Sequence, residues 1–133
     1  YLNPKTQFAA EFFCQANILN CEIDQGKITT FISEIDLDID KNTSRAMKLV
    51  VYPHQLRIEN SSKTEEGNAF VKKRIFQGNT YNYTLELLNK ETVNLIQSMS
   101  EIVEEGSSVV VRYSPSGFVV CFDKGDQKTF VVA

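Results

Sequence analysis

Two cysteines and one basic cluster are the residues of this chain best placed to do chemistry. Cys14 and Cys21 flank the run Gln15-Ala-Asn-Ile-Leu-Asn20. If that run is a hairpin connection, the two thiols face each other across adjacent antiparallel strands. Such a pair brings α-carbons to about 4.5 Å, at the short end of what a disulfide accepts. A Cys14–Cys21 bridge implies an oxidising compartment, and two unrelated buried thiols imply a reducing one. Cys121 alternates with Val120 and Phe122 and reads as a free, buried thiol.

Lys72-Lys73-Arg74 is the basic cluster, with Tyr81 and Tyr83 a short turn away around Gln77-Gly78-Asn79. Arginine and exposed tyrosines concentrate interface energy, so Lys72, Lys73, Arg74, Tyr81 and Tyr83 form the candidate binding face. Their bland reading is a charged edge strand that discourages strand addition. A protein or an anionic glycan suits such a face.

Other groups offer less. His54, the only histidine, sits beside Pro53 without the further His or Cys ligands that a metal site needs. No nucleophile is placed beside it in sequence. Asp36-Leu-Asp-Ile-Asp40 begins like a calcium loop, but Lys41 and Met47 occupy the positions where such a loop requires Gly and Glu. It reads instead as an alternating strand with an acidic outer face. No phosphate-cradling glycine loop or nucleophile elbow occurs. The expectation is a non-enzyme with no cofactor and no metal.

The elements that must position these residues are mostly strands. Phe8 to Cys14, Ile18 to Ile23, residues 28–40, Met47 to Tyr52, Leu56 to Glu59, Phe70 to Phe76 and Tyr81 to Leu87 alternate or are rich in β-branched and aromatic side chains. Val109 to Tyr113, Phe118 to Phe122 and Thr129 to Val132 close the chain as a meander. One helix is predicted over about 89–105, with Asn89 as N-cap, Thr92, Leu95, Ile96, Met99, Ile102 and Val103 on one face, and Gly106 as the stop.

Composition sets the frame. The 133 residues carry a net charge of −3 and 42% hydrophobic residues. They suit one domain, residues 1–133, with residues 1–7 a polar leader. An acidic chain lacks the basic excess that phosphate contacts need, so nucleic acid is not an expected partner. No apolar run approaches the length that spans a bilayer.

The order of elements resembles the invasion-associated locus B family of bacterial envelope proteins. The matching stretches are Phe12-Phe-Cys14 with Cys21-Glu-Ile-Asp-Gln25, Leu49-Val-Val-Tyr-Pro53, Asn89 to Met99, and Val109 to Phe122. The resemblance implies a non-enzymatic periplasmic or surface protein with a β-sandwich fold, and it transfers no catalytic residues. The combined expectation is a mainly β protein, an antiparallel sandwich or bent sheet of about eight strands with one amphipathic helix. It acts as an exported binding, adhesion or assembly module through a sheet face or edge. A cytosolic acidic interaction protein and a small hydrolase are the alternatives.

Overall fold

The computed structural model describes residue 6 and residues 15–60, 66–98 and 102–133. These form eleven strands: β1 (Asn17–Asp24), β2 (Lys27–Thr29), β3 (Glu34–Asp36), β4 (Ser44–Val51), β5 (Leu56–Asn60), β6 (Ala69–Phe76), β7 (Thr80–Leu87), β8 (Thr92–Ser98), β9 (Ser108–Tyr113), β10 (Phe118–Asp123) and β11 (Asp126–Val131). A 3₁₀ turn at Pro53–Gln55 links β4 to β5. The mainly β expectation holds, with eleven strands among the described residues in place of about eight.

Two antiparallel sheets result. One has the order β11-β10-β4-β1-β2-β3 and the other β5-β9-β6-β7-β8. The outer strands of the first sheet meet where Leu37 bridges Val132. Asp38 N–H donates to the Val131 carbonyl at 2.8 Å there, and Ala133 N–H to that of Asp36 at 2.9 Å. Pairing the edges removes a template for uncontrolled strand addition. In the second sheet the edge strands approach each other through Gln97, whose Oε1 accepts from Ile58 N–H at 3.1 Å.

Leu19, Ile23, Ile28 and Leu49 from the first sheet join Val71, Leu85, Leu95 and Val111 from the second in one buried cluster. Alternation along the strands does this: in β1, Leu19, Cys21 and Ile23 are buried while Asn20, Glu22 and Asp24 are exposed. Two asparagines stitch the structure together by imitating a peptide unit. Asn17 donates from Nδ2 to the Asn94 carbonyl and accepts from Asn94 N–H, at 2.8 and 2.7 Å. Asn68 does the same for Val111, at 3.2 and 2.8 Å. Each satisfies strand groups that no neighbouring backbone reaches.

The predicted helix is replaced by strand β8. Val93 and Leu95 are buried, and Thr92, Asn94 and Ile96 are exposed, which is a period of two. Pairing with β7 along the whole of 92–98 decides between the two periods. Asn89 still binds a backbone N–H, but as a turn residue: its Oδ1 accepts from Glu91 N–H at 3.1 Å, while Lys90 takes a φ of 78°. Met99 lies outside the described residues, and Gly106 has the positive φ expected of it, 88°, in a turn.

Two further expectations are corrected. Gln15 to Asn20 is no hairpin connection, because β1 runs unbroken from Asn17 through Cys21 to Asp24 and pairs with β4 and β2. Cys21 lies opposite Met47 and is a free thiol. The Cys14–Cys21 bridge is therefore not made; Cys14 itself, the polar leader apart from Thr6, and the strand expected over 8–14 lie outside the described residues. Residues 28–40 are not one strand either. Thr30 Oγ1 accepts from Ile32 N–H, turning the chain between β2 and β3. Ile35, Leu37 and Ile39 nevertheless pack inward as their alternation requires.

Candidate functional site

The predicted binding hairpin exists but is taken apart by one extra residue. Strand β6 pairs with β7, with a register shift between Val71 and Lys73. This bulge leaves Lys72 outside the ladder and reverses the alternation that follows. Arg74 is thereby turned toward the side occupied by Val71, opposite the fully buried Tyr83.

Arg74 is consumed by structure. Its guanidinium lies 5.0 Å from the centroid of the Tyr81 ring, donates to the Val103 carbonyl at 3.2 Å and pairs with Glu104 at 3.5 Å. Its backbone N–H donates to Glu105. Tyr83, expected at the surface, instead accepts from Val103 N–H at 3.1 Å through its hydroxyl. Tyr81 packs between Phe76 and Tyr83 and against the core. Lys72 faces Glu86 at 3.8 Å. Of the three basic residues of the cluster, Lys73 alone has no ion pair among the described residues. On the side away from β7, strand β6 pairs with β9 only through Ala69 and Phe70, so Lys72 to Arg74 lie beyond that pairing.

A different surface offers a cavity. An open groove of about 920 Å³ crosses the six-stranded sheet. Alternation brings the exposed residues Asn20 and Glu22 of β1, Thr29 of β2, Ser44, Ala46 and Lys48 of β4, and the buried Phe122 of β10 to its lining. Phe31 forms one wall with its ring partly in solvent, and the β7–β8 turn forms another through Asn89 and Glu91.

The polar groups of the groove are held in place. Glu91 Oε2 accepts from Asn20 N–H at 2.8 Å, beyond the end of β2, and Oε1 accepts from Asn89 Nδ2 at 2.7 Å. Lys48 Nζ donates to Asn20 Oδ1. At the far end, Arg45 Nε meets Asp123 Oδ2 at 2.7 Å, with the Asp123 side chain 7% exposed. Glu22 and Lys124 carry no ion pair among the described residues. Three cations and three carboxylates thus line the groove, so no single sign of charge dominates it. Preorganised donors and acceptors beside one exposed ring suit a small polar ligand.

Beneath this face, Cys21 and Cys121 meet inside the core. Contact with the Cys21 sulfur and burial together push the Cys121 thiol well above its ordinary range. Burial first, then the two cysteines, also raise Tyr113. Cys121 and Tyr113 therefore stay neutral at physiological pH, whereas the hydrogen bond with Cys121 lowers Cys21. The described residues contain no cluster of three or more His, Cys, Asp or Glu able to hold a metal ion.

Comparison with protein families gives a match over residues 49–120 to the TOBE domain, just over half of the chain. The chain belongs to the TOBE domain family. The matched part runs from the end of β4 to the start of β10 and takes in the whole five-stranded sheet, but of the residues lining the groove it includes only Asn89 and Glu91. Strands β1 and β2, which supply Asn20, Glu22 and Thr29, precede the matched part of this TOBE domain. A comparison with curated proteins found no match.

No sequence signal pointed to the groove. Its residues come from segments centred near 20, 30, 46, 90 and 122, and only the sheet order brings them together.

Proposed function

We propose that this TOBE domain is a non-catalytic binding module that takes a small polar ligand in the groove over β2, β1, β4 and β10. The supporting observation is the groove itself: concave, wide enough for a ligand, and lined by polar groups already fixed by Glu91, Asn20 and Asn89. TOBE domains are non-catalytic binding domains and usually sit in transport-related proteins, which supports a role in recognising a solute for such a system. The sheet face is retained from the sequence reading as the acting surface, and the hairpin is not.

The compartment follows the thiols. Export rested on a disulfide and on the envelope-protein resemblance, whereas Cys21 and Cys121 are free and buried, which suits a reducing interior. These thiols support a cytoplasmic reading, the alternative that an acidic interaction domain already offered. A thiol titration of unfolded, unreduced protein tests this: three titratable thiols support it, and one defeats it.

Calorimetric titration with a panel of sugars, amino acids, polyamines and inorganic anions tests the binding role. Ala46→Trp fills the groove from an exposed position and should abolish binding of any hit without changing the melting temperature. A hit whose affinity is unchanged in that variant binds elsewhere, and the groove reading fails.

A further inference from the structure

A second, smaller cavity lies where the chain crosses between the sheets, beside the 3₁₀ turn and the Ser114–Gly117 connection. Its volume is about 160 Å³. Tyr52, His54, Tyr113 and Phe118 supply rings, and Val50, Val119 and Val120 supply aliphatic surface. No charged side chain lines it; Gln55 and Ser116 add polar atoms.

The walls are fixed before any ligand arrives. Gln55 N–H donates to the Tyr52 carbonyl at 2.9 Å, while Gln55 Oε1 accepts from Tyr52 N–H at 3.0 Å. Ser114 N–H donates to the Gln55 carbonyl at 2.9 Å, tying the turn to the chain beyond β9. His54 stacks on Tyr52, with ring centroids 5.9 Å apart and planes at 16°. Tyr52 and Val120 belong to a small buried cluster on the sheet face away from the main core. A pocket rigid in this way loses little freedom on binding.

From this geometry we infer that the niche binds a single neutral aromatic ring carrying one hydrogen-bonding substituent. The volume sets the size: an apolar cavity of roughly 150 Å³ accommodates benzene. Ring-lined walls favour offset or edge-to-face contacts with another ring. His54, Gln55 and Ser116 offer hydrogen bonds to a hydroxyl or ring N–H, and a polyol would leave most of its groups unpaired against the valines. A cation finds no carboxylate in the lining, and Tyr113 is held in its neutral form. The niche is separate from the groove, and its occupancy does not depend on what the groove takes.

Phenol is the probe. Titrated into the ¹⁵N-labelled chain, it should shift the amides of Tyr52, His54 and residues 116–120 saturably in the millimolar range, as expected for so small a ligand. Tetramethylammonium and glucose at the same concentrations should leave those amides in place. Phe118→Leu removes one ring at a partly exposed position and should weaken phenol about tenfold, equivalent to about 1.4 kcal/mol. Ser116→Trp, which occludes the mouth, should abolish the shifts while the remaining spectrum is kept. Absence of saturable shifts, shifts centred on the groove, equal binding of tetramethylammonium, or full affinity in Ser116→Trp would each overturn the inference.

Discussion

Arg74 and Tyr83 illustrate how far one residue's role departs from its type. Both were candidates for contact with a partner, and both instead hold the segment around Val103. Tyr83→Phe leaves the Val103 N–H buried without its acceptor, a loss of about 1–3 kcal/mol. Lys73→Ser removes an exposed cation and should cost less than about 0.5 kcal/mol. Chemical denaturation of the two variants separates them, and equal midpoints would contradict the assignment. The bulge at Lys72 is the reason for the difference, and no sequence pattern announces it.

The buried thiol gives a pH dependence at the same scale. In the folded chain Cys121 and Tyr113 both hold their protons more tightly than in the unfolded chain, and Cys21, lowered by its hydrogen bond with Cys121, opposes them. A raised value stabilises the fold fully below the unfolded value and progressively less as pH rises above it. Thermal stability should therefore fall from about pH 8.5 upward, where an unfolded thiol begins to ionise. Cys121→Val should flatten the first part of that decline. A parent melting temperature constant from pH 7 to 10 would exclude this linkage.

Among the elements, strands with clear alternation were legible. Ile18 to Ile23, Met47 to Tyr52, Phe70 to Phe76 and Val109 to Tyr113 fall within or closely overlap β1, β4, β6 and β9. Gln25-Gly26 was legible as a turn because both residues take positive φ, 52° and 76°, as a tight hairpin demands. The segment 92–103 was not, because its apolar residues satisfy both a period of 3.6 and a period of two. What settles it is β7, a neighbour that periodicity does not contain. Val93→Asp should therefore unfold or severely destabilise the domain, since it buries an unpaired charge. Ile96→Asp should be tolerated, because Ile96 is 44% exposed. A helix with the predicted face would reverse that order, so melting curves of the two variants distinguish the readings. Asn17→Ala should cost about 1–3 kcal/mol, because the backbone N–H and carbonyl of Asn94 lose their partner together.

At the scale of the molecule, function resides in what the sheet order assembles. The sequence carried the β class and the acidic balance, both of which constrain the site. It did not carry the adjacency of β10, β4 and β1, on which the groove depends. Chain segments a hundred residues apart meet there without any local motif. The proposal for the groove rests on its balanced charge and fixed hydrogen bonds; the TOBE family match covers residues 49–120 and so only Asn89 and Glu91 of its lining.

Amide shift mapping on the ¹⁵N-labelled chain, using the tightest solute from the calorimetric panel, tests that claim most directly. Binding in the groove predicts saturable shifts at Asn20, Glu22, Thr29, Ala46 and Lys48, with the hairpin residues Lys72 to Arg74 unmoved. Shifts confined to the hairpin, or no saturable shift on the strands under the groove, would contradict it.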